Sequence, residues 1–266
     1  MKRLFLFLLI LLFSFNLFSQ SKMIINKNIG SADTLDLSNI KSITFKPYSP
    51  DPIQGLVAWY PFNGTGNDSS GNGINSTLNT ASYTYDRNNH PNSALYFNGS
   101  SKFNANSSNK LSLSTMTLCA WIKGSTKTTW NPRVVAVGPA TTSCQNYGLF
   151  YDNGYNTTKK IGFLLETVYT SPTNCANNNY YSLSSVDTLA WHHVAASYDG
   201  QKVRLYIDGN MDKDTTVSLP IIPISDALVQ IGYSDNNEDW FRGAIDDVRI
   251  YNRALSDGEI KSIFQH

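Results

Sequence analysis

The sequence predicts an all-β protein in which two antiparallel sheets pack face to face as a sandwich. Three observations favour this fold class. Short runs rich in Val, Ile, Tyr, Phe and Trp recur along the chain and alternate apolar with polar residues. Clusters of Gly, Asn, Asp and Ser separate these runs, and the only helical pattern lies at the C-terminal end. Many short strands without intervening helices indicate a sandwich or jelly roll rather than a parallel α/β sheet.

The predicted strands share this alternation and these flanking turn residues. They cover residues 56–60, 94–97, 117–122, 133–137, 148–151, 161–165, 192–198, 202–207, 229–233 and 241–251. The dipeptides Asp199-Gly200 and Asp208-Gly209 predict hairpin turns, because glycine accepts the positive φ that a tight hairpin requires. A short helix is expected over residues 257–264, with Ser256 and Glu259 as a capping box at its start.

The first twenty residues have the pattern of a secretory signal peptide. Lys2 and Arg3 precede an apolar run over residues 4–18. This run is shorter than the roughly 20 apolar residues of a transmembrane helix. We therefore expect residues 1–20 to be removed near Ser19 or Ser21, with an uncleaved anchor as the alternative, and a secreted or cell-surface protein, extracellular or periplasmic.

The remaining chain divides into a small and a large part. Residues 21–46 predict a small β module with short strands over 23–26 and 42–45, and a piece of this size cannot hold a core of its own. Residues 47–54 are proline-rich and predict a linker. Residues 55–266 predict one β-sandwich domain.

The net charge argues against one class of partner. The chain has 21 Lys and Arg against 20 Asp and Glu, a formal net charge of +1, and its basic residues form no stripe. A nucleic-acid partner is therefore not expected. A neutral surface rich in aromatic and Asn residues suits a glycan better.

The three cysteines fall into two kinds of sequence context. Cys119 lies within a strand pattern and is expected to be buried as a small apolar residue. Cys144 and Cys175 lie in polar stretches read as loops, and secretion permits disulfides, so we predict that they pair with each other. The alternative is that all three remain thiols.

Several motifs together resemble a known family. In order along the chain they are the segments 55–64, 67–73, 94–99, 118–122, 191–194, 203–209 and 243–256. This series resembles the laminin-G-like, concanavalin A-like domains of secreted bacterial proteins, over nearly all of residues 55–266. The resemblance implies a two-sheet antiparallel jelly roll. The short C-terminal helix and the small N-terminal β appendage predicted above complete the expected architecture. It implies less about function, because this fold carries lectins, adhesion modules, glycosidases and structural spacers.

The resemblance also implies a structural calcium ion where the loop 67–73 meets the last strand. Calcium takes about six to eight oxygen ligands from carboxylates, carbonyls and water. Asp68 and Asp246 would supply carboxylates, and Gly71 or Asn72 would supply a carbonyl.

Asp247 would then face the opposite side of the strand, towards Arg249 or Arg253, because neighbours on a strand point to opposite faces. The alternative is that Asp68 caps a turn while the pair Asp246-Asp247 forms ion pairs or hydrogen bonds.

The sequence offers no set of residues suited to catalysis. Glycosidases need two carboxylates across a cleft, and Glu166 is the only acid in its neighbourhood. His192 and His193 are adjacent on a strand, which points them apart, and no Ser-His-acid arrangement or metalloprotease motif is present. We therefore predict that the protein is not an enzyme.

Aromatic residues in polar segments form a candidate ligand-binding surface. They lie among Asn, Ser and Thr, a mixture suited to a glycan because sugars stack on aromatic rings while polar side chains bind hydroxyls. The alternative is that these side chains pack their own loops. The candidates are Trp130, Tyr147, Tyr155, Tyr169, Tyr180 and Tyr181.

Together these patterns predict a secreted, calcium-stabilised binding module without catalysis, which recognises carbohydrate or another cell-surface ligand. One alternative is a structural or adhesive module that binds another protein, with residues 21–46 as the docking element. A second alternative is a divergent polysaccharide hydrolase that depends on Glu166.

Overall fold

The computed structural model describes residues 22–25, 33–36, 52–124, 131–139, 146–152, 159–171, 174–187, 189–217, 221, 223–234 and 239–266. The chain divides into two compact units, residues 1–48 and residues 49–266. In the first unit, β1 (Lys22–Ile25) and β2 (Asp33–Asp36) pair antiparallel. The strand predicted over residues 42–45 lies outside the described residues.

Two antiparallel sheets make up the second unit. The seven-stranded sheet has the order β12-β11-β10-β9-β16-β7-β4, and the eight-stranded sheet has the order β15-β14-β13-β8-β17-β6-β5, with β3 paired to β17. This arrangement confirms the predicted sandwich. The strands are β3 (Leu56–Tyr60), β4 (Ser76–Asn79), β5 (Ser82–Thr84), β6 (Ala94–Asn98), β7 (Phe103–Ala105), β8 (Met116–Gly124), β9 (Arg133–Pro139), β10 (Tyr147–Asp152), β11 (Lys160–Ser171), β12 (Asn174–Ser185), β13 (His192–Tyr198), β14 (Lys202–Ile207), β15 (Asn210–Thr216), β16 (Ala227–Ile231) and β17 (Arg242–Tyr251).

The core lies between the two sheets. Alternate residues of each strand point inward, so that Leu118, Ala120 and Ile122 of β8 are buried in the same cluster as Val135 and Val137 of β9. Burying a large apolar side chain stabilises the fold by about 1.5–3 kcal/mol, so this layer is the main source of stability.

A second hydrophobic cluster lies on the outer face of the eight-stranded sheet. There Ile260 and Ile263 of helix α1 (Asp257–Gln265) pack with Cys119 and Tyr206. Cys119 is fully buried, as predicted. Across the described residues, no helix has the length and apolarity needed to cross a membrane.

The predicted capping box of α1 is present. The Ser256 side chain accepts a hydrogen bond from the Glu259 backbone N–H, and the Glu259 carboxylate accepts from the Ser256 backbone N–H. Arg253 binds both Glu259 oxygens, at 3.0 and 2.6 Å. Because of this pairing with Arg253, the pKa of Glu259 falls to about 2.

The two predicted hairpin turns are also present. The turn between β13 and β14 contains Gly200 at φ +97°, and the turn between β14 and β15 has positive φ at both Asp208 and Gly209. Two successive positive φ values match the right-handed twist of the flanking strands, which is why an Asp-Gly pair occurs at this position.

One segment predicted as a loop is instead a long strand. Cys175 lies on β12, opposite Tyr169 of β11, rather than in a polar loop. The loop prediction failed because β12 is an edge strand rich in Asn, whose composition mimics that of a loop. Cys144 lies outside the described residues, so its pairing with Cys175 stays a prediction.

Candidate functional site

A cavity of about 370 Å³ opens on the outer face of the eight-stranded sheet. We call it the aromatic pocket. Strands β5, β6, β8 and β17 form its floor, and the loop between β5 and β6 forms one wall. Its lining residues are Thr84, Tyr85, Asp86, Asn89, Tyr96, Lys123, Gly124, Trp191, Gly243 and Ala244.

The floor of the pocket is a cross-strand row on β6, β17 and β8. Ala244 pairs with Tyr96 on one side and with Lys123 on the other, so the three side chains share one face of the sheet. Neighbouring strands lie about 4.8 Å apart, which places Tyr96 and Lys123 on strands about 10 Å apart. The short Ala244 side chain between two long ones leaves a slot in the sheet surface.

Glycine is required at the end of this floor. Gly243 has φ +137°, and a Cβ there would lie 2.3 Å from the Lys123 carbonyl oxygen. Gly124 on β8 is its cross-strand partner. The two glycines therefore let β8 and β17 approach closely and add no side chain that would fill the pocket.

The loop 85–93 forms the pocket wall because Asp86 folds the loop on itself. Its carboxylate accepts hydrogen bonds from the backbone N–H groups of Asn88 and His90, both at 2.8 Å, and contacts the His90 ring at 2.9 Å. Burial opposes ionisation of Asp86, but these hydrogen bonds outweigh it and lower the pKa of Asp86. Asn89 takes a positive φ of 62°, which Asn tolerates better than most residues.

Aromatic rings border the pocket and are partly exposed to solvent. The side chains of Tyr85 and Tyr96 are 60% and 40% exposed, and Trp191 is half-buried. Large aromatic side chains left accessible around a concavity are typical of ligand-binding sites, because their burial by a ligand is favourable.

Arg87 fastens the pocket wall to the sheet. Its guanidinium group binds Asp246 at 3.0 Å and Asp247 at 3.2 Å, and lies 4.6 Å from the ring centroid of Trp121. Arg87 is the second residue after Tyr85, so this anchor determines where the Tyr85 side of the pocket lies.

Both aspartates can reach Arg87 because β17 contains a bulge. The pairing of β17 with β8 shifts between Asp246 and Arg249, and Asp247 has φ +51°. The prediction that Asp247 points away from Asp246 is therefore wrong, since the bulge interrupts the strand alternation. Asp247 does meet Arg249, at 3.5 Å, and it accepts a hydrogen bond of 2.7 Å from the Trp59 indole N–H.

Burial shifts the pKa values of two groups beside Arg87 and Trp121, namely Asp246 and His193. Burial and the adjacent charge of Asp247 raise the pKa of Asp246 to about 8, and Arg87 acts in the opposite direction. His193 packs edge-on against Trp121 and is 1% exposed. Burial, together with the charge of Arg249, lowers the pKa of His193 to about 3, so its ring is neutral.

The loop 67–73, predicted to bind calcium, docks on β3. Asp68 accepts hydrogen bonds from the backbone N–H groups of Trp59, Ser70 and Ile74 and from the Ser70 hydroxyl, so both of its carboxylate oxygens have donors. Trp59 thus contacts both this loop and, through its indole, Asp247 of the last strand.

Asn72, another predicted ligand, is also engaged with protein groups. The Asn72 amide N–H group donates to the carbonyls of Leu56 and Val57, and its oxygen accepts from Lys110 at 2.6 Å. Gly71, at φ +86°, and Gly73, at φ +73°, are both left-handed residues of this loop.

The metal-binding potential of these residues follows from their hydrogen bonds. The part of the chain that the structure describes contains no group of three or more His, Cys, Asp or Glu suited to hold a metal ion. Because Asp68 is saturated by donors and Asp246 is paired with Arg87, these residues as arranged do not fit a calcium ion. Calcium binding stays a prediction.

The predicted aromatic surface does not come together in the described residues. Tyr147 is fully buried, and its hydroxyl donates to the Leu111 carbonyl at 2.8 Å, so it is a core residue and cannot contact a ligand. Tyr180 packs against the core, and Tyr181 lies edge-on to Phe150. The positions of Trp130 and Tyr155 and the side chain of Tyr169 lie outside the described part.

Glu166 is on β11 and is fully buried. Among the described residues, neither of its carboxylate oxygens has a hydrogen-bond partner. Burial raises the pKa of Glu166 to about 7.

Sequence reasoning missed the aromatic pocket, although one signal was present. Tyr96 lies between Leu95 and Phe97, which both point into the core, so alternation places an aromatic ring on the outer face of a predicted strand. The same alternation on β8, where Ile122 points into the core, places Lys123 on the outer face of the sheet. Arg87 gave no local signal, because its partners lie 159 and 160 residues further along the chain.

The comparisons with known proteins agree with this architecture. A family model described as the concanavalin A-like lectin/glucanases superfamily matches residues 97–261. No curated protein matches the chain.

Solved structures with low sequence identity share the fold. Domain 4 of AbnA, an extracellular GH43 arabinanase from Geobacillus stearothermophilus, in complex with arabinotriose, aligns with a TM-score of 0.56 and 22% identity, over 79% of this chain and 98% of that one. The binding domain of botulinum neurotoxin DC aligns with TM-scores of 0.56 in complex with rat synaptotagmin II and 0.55 in complex with SialylT, at 14% identity over 80% of this chain. The match spans about half of the toxin domain, 52%. At these identities the likeness shows the fold.

Proposed function

Because the chain belongs to the concanavalin A-like lectin/glucanases superfamily, we propose that it is a non-catalytic binding module for carbohydrate or another cell-surface ligand. The observation that carries this proposal is the aromatic pocket, where Tyr85, Tyr96 and Trp191 border a cavity that also contains Asn89 and Lys123. Aromatic faces bind the apolar faces of sugars, and the polar side chains bind hydroxyl groups.

The solved structures of similar fold support a binding role. The arabinanase domain is in complex with arabinotriose, and the neurotoxin domain is in complex with rat synaptotagmin II in one structure and with SialylT in another. A ligand of the same general kind, displayed outside the cell, fits the signal peptide predicted over residues 1–20. Secretion or exposure at the cell surface is part of this proposal.

The surroundings of Glu166 support a role without catalysis. A glycosidase needs a second carboxylate across an open cleft. Glu166 is fully buried, and burial alone accounts for its raised pKa, without a charged neighbour among the described residues. Loss of polysaccharide turnover on Glu166→Gln would contradict this part of the proposal.

The pocket assignment is tested by removing its aromatic rings. We expect Tyr85→Ala and Tyr96→Ala each to weaken glycan binding about 10-fold, because an aromatic contact contributes about 0.5–1.5 kcal/mol beyond its buried area. The measurement is isothermal titration with arabinotriose and with the ligands found on a glycan array. Leu189→Ala is the control, since Leu189 is 83% exposed and does not line the pocket. Unchanged affinity in both tyrosine variants would contradict the assignment.

Structural calcium at Asp68, Gly71, Asn72 and Asp246 is a separate hypothesis with its own test. If calcium binds there, CaCl₂ should raise the melting temperature relative to EGTA by mass action, and Asp246→Asn should remove the gain. Equal melting temperatures of the parent protein in CaCl₂ and EGTA would contradict the hypothesis. The hydrogen bonds of Asp68 and the ion pair of Asp246 favour this second outcome.

A further inference from the structure

The polar groups of the aromatic pocket differ in whether they are already engaged. Asp86 is the only carboxylate among the lining residues, and its oxygens accept three contacts from its own loop, from Asn88 and His90. It is 8% exposed. Asp86 therefore shapes the wall of the pocket and has little capacity left to accept hydrogen bonds from a ligand.

Lys123, in contrast to Asp86, is not engaged by the other described side chains of the pocket. Its side chain is exposed at the pocket, and no carboxylate of the described chain lies within ion-pair distance of its ammonium group. Its cross-strand position beside Ala244 directs the side chain to the same face as Tyr96. An ammonium group is a donor without acceptor capacity, and the indole N–H of Trp191 is likewise a donor only.

The remaining lining groups can donate hydrogen bonds to acceptor atoms of a ligand. The hydroxyls of Thr84, Tyr85 and Tyr96 and the amide of Asn89 can all donate. The pocket thus contains a lysine unpaired among the described residues, a second donor-only group in the Trp191 indole, and one carboxylate, Asp86, whose oxygens are engaged by its own loop. This set of groups favours a ligand that is rich in acceptors and carries a negative charge beside Lys123.

From this complementarity we propose that the aromatic pocket selects sugars carrying an anionic group, a uronate carboxylate or a sulfate ester, over neutral sugars. This inference rests on the proposed function and names the ligand class of the same site. Lys123 binds the anionic group, while Tyr85, Tyr96 and Trp191 contact the ring faces. A charge-assisted hydrogen bond is about twice as strong as a neutral one, so Lys123 is the residue that determines specificity.

The test compares anionic with neutral sugars and includes one matched pair, oligogalacturonate and its methyl ester. The probes are oligogalacturonate, its methyl ester, a sulfated oligosaccharide, and the neutral arabinotriose, titrated into the full chain. We expect the methyl ester and the neutral probe to bind at least 10-fold more weakly than the anionic probe that fits best, and we expect added NaCl to weaken only anionic binding. The oligogalacturonate and sulfated arms distinguish the two anionic groups.

Matched variants assign the effect to Lys123. Lys123→Met should remove the preference for anionic probes, and Lys123→Arg should keep it. The control is Lys261→Met, because Lys261 is an exposed lysine of α1 that does not line the pocket. Since Lys123 is exposed, its variants should melt like the parent protein, and a melt checks this.

Each outcome decides between the proposals. Equal binding of oligogalacturonate and its methyl ester, with the sulfated probe no better than arabinotriose, overturns the anionic preference and leaves the binding function intact. A preference that survives Lys123→Met overturns the role of Lys123. Absence of binding by every probe and by a broad glycan array overturns the binding function itself, and the inference with it.

Discussion

At the scale of single residues, Glu166 is the clearest case of a charge without compensation. It is fully buried on β11, and its oxygens lack hydrogen-bond partners within the described segments. A carboxylate in such a place is costly when ionised, which is why its pKa is raised to about 7. Below pH 4.5 the carboxyl is protonated in both the folded and the unfolded state, so the cost appears only as the pH rises towards 7.

We therefore predict that Glu166→Gln stabilises the protein above pH 7. The expected gain is roughly 2 kcal/mol in the free energy of unfolding, because the amide has the same shape and no charge. Near pH 4 the variant and the parent should unfold at the same urea concentration. Urea titrations at pH 4 and pH 8 check this. Glu259→Gln is the control, because its free energy of unfolding should change in the opposite direction. The pKa of Glu259 is lowered to about 2, so that variant should be destabilised at pH 8.

At the scale of elements, the loop 85–93 and strand β17 depend on each other. Arg87 of the loop binds both carboxylates that the bulge of β17 brings together. Without Arg87, Asp246 and Asp247 would lie side by side with less countercharge. A buried carboxylate without its partner destabilises a protein strongly, by roughly 3 kcal/mol.

Arg87→Met should accordingly lower the free energy of unfolding by roughly 3 kcal/mol at pH 9 and by less at pH 5. The pKa of Asp246, about 8 with Arg87 present, should rise without it, so that a proton relieves the cost at low pH. Chemical unfolding across this pH range is the measurement. Arg242→Met provides the control, because Arg242 is exposed and binds only the Asn98 carbonyl among the contacts described. A loss that is the same at pH 5 and pH 9 would contradict this account.

At the scale of the whole molecule, the chain consists of two compact units, and the sandwich has its own core. Removal of residues 1–48 should therefore leave a protein that unfolds cooperatively at the same urea concentration as the full chain. Circular dichroism during urea titration tests this. A shallow or shifted transition would show that the sandwich requires the first unit. Binding of a protein partner that disappears with this unit would instead favour the adhesive alternative.

The sequence predicted the sandwich because its central strands carry strong local signals. The bounds of β3, β13 and β14 agree with the predicted ranges, since these strands alternate clearly and end at turn residues. Strands β4, β5 and β7 are three or four residues long and were missed, because so short a run shows no period.

The site was harder to predict than the fold. The pocket depends on the pairing of Tyr96, Ala244 and Lys123 across three strands that are far apart in sequence, and a single sequence does not contain that register. The predicted direction of the Asp247 side chain was wrong because the alternation of the strand is interrupted by a bulge. A bulge leaves a weaker signal in the sequence than the alternation does.

The position of β17 has a consequence for biosynthesis. This strand lies between β8 and β6, and its second half pairs with β3, so it joins parts of the sheet that precede it by more than a hundred residues. Such distant pairings form late, because the intervening chain must first be ordered. A nascent chain that has not yet reached residue 242 lacks Gly243, Ala244 and both partners of Arg87, and so cannot form the aromatic pocket. Formation of the aromatic pocket would therefore report that synthesis has passed β17.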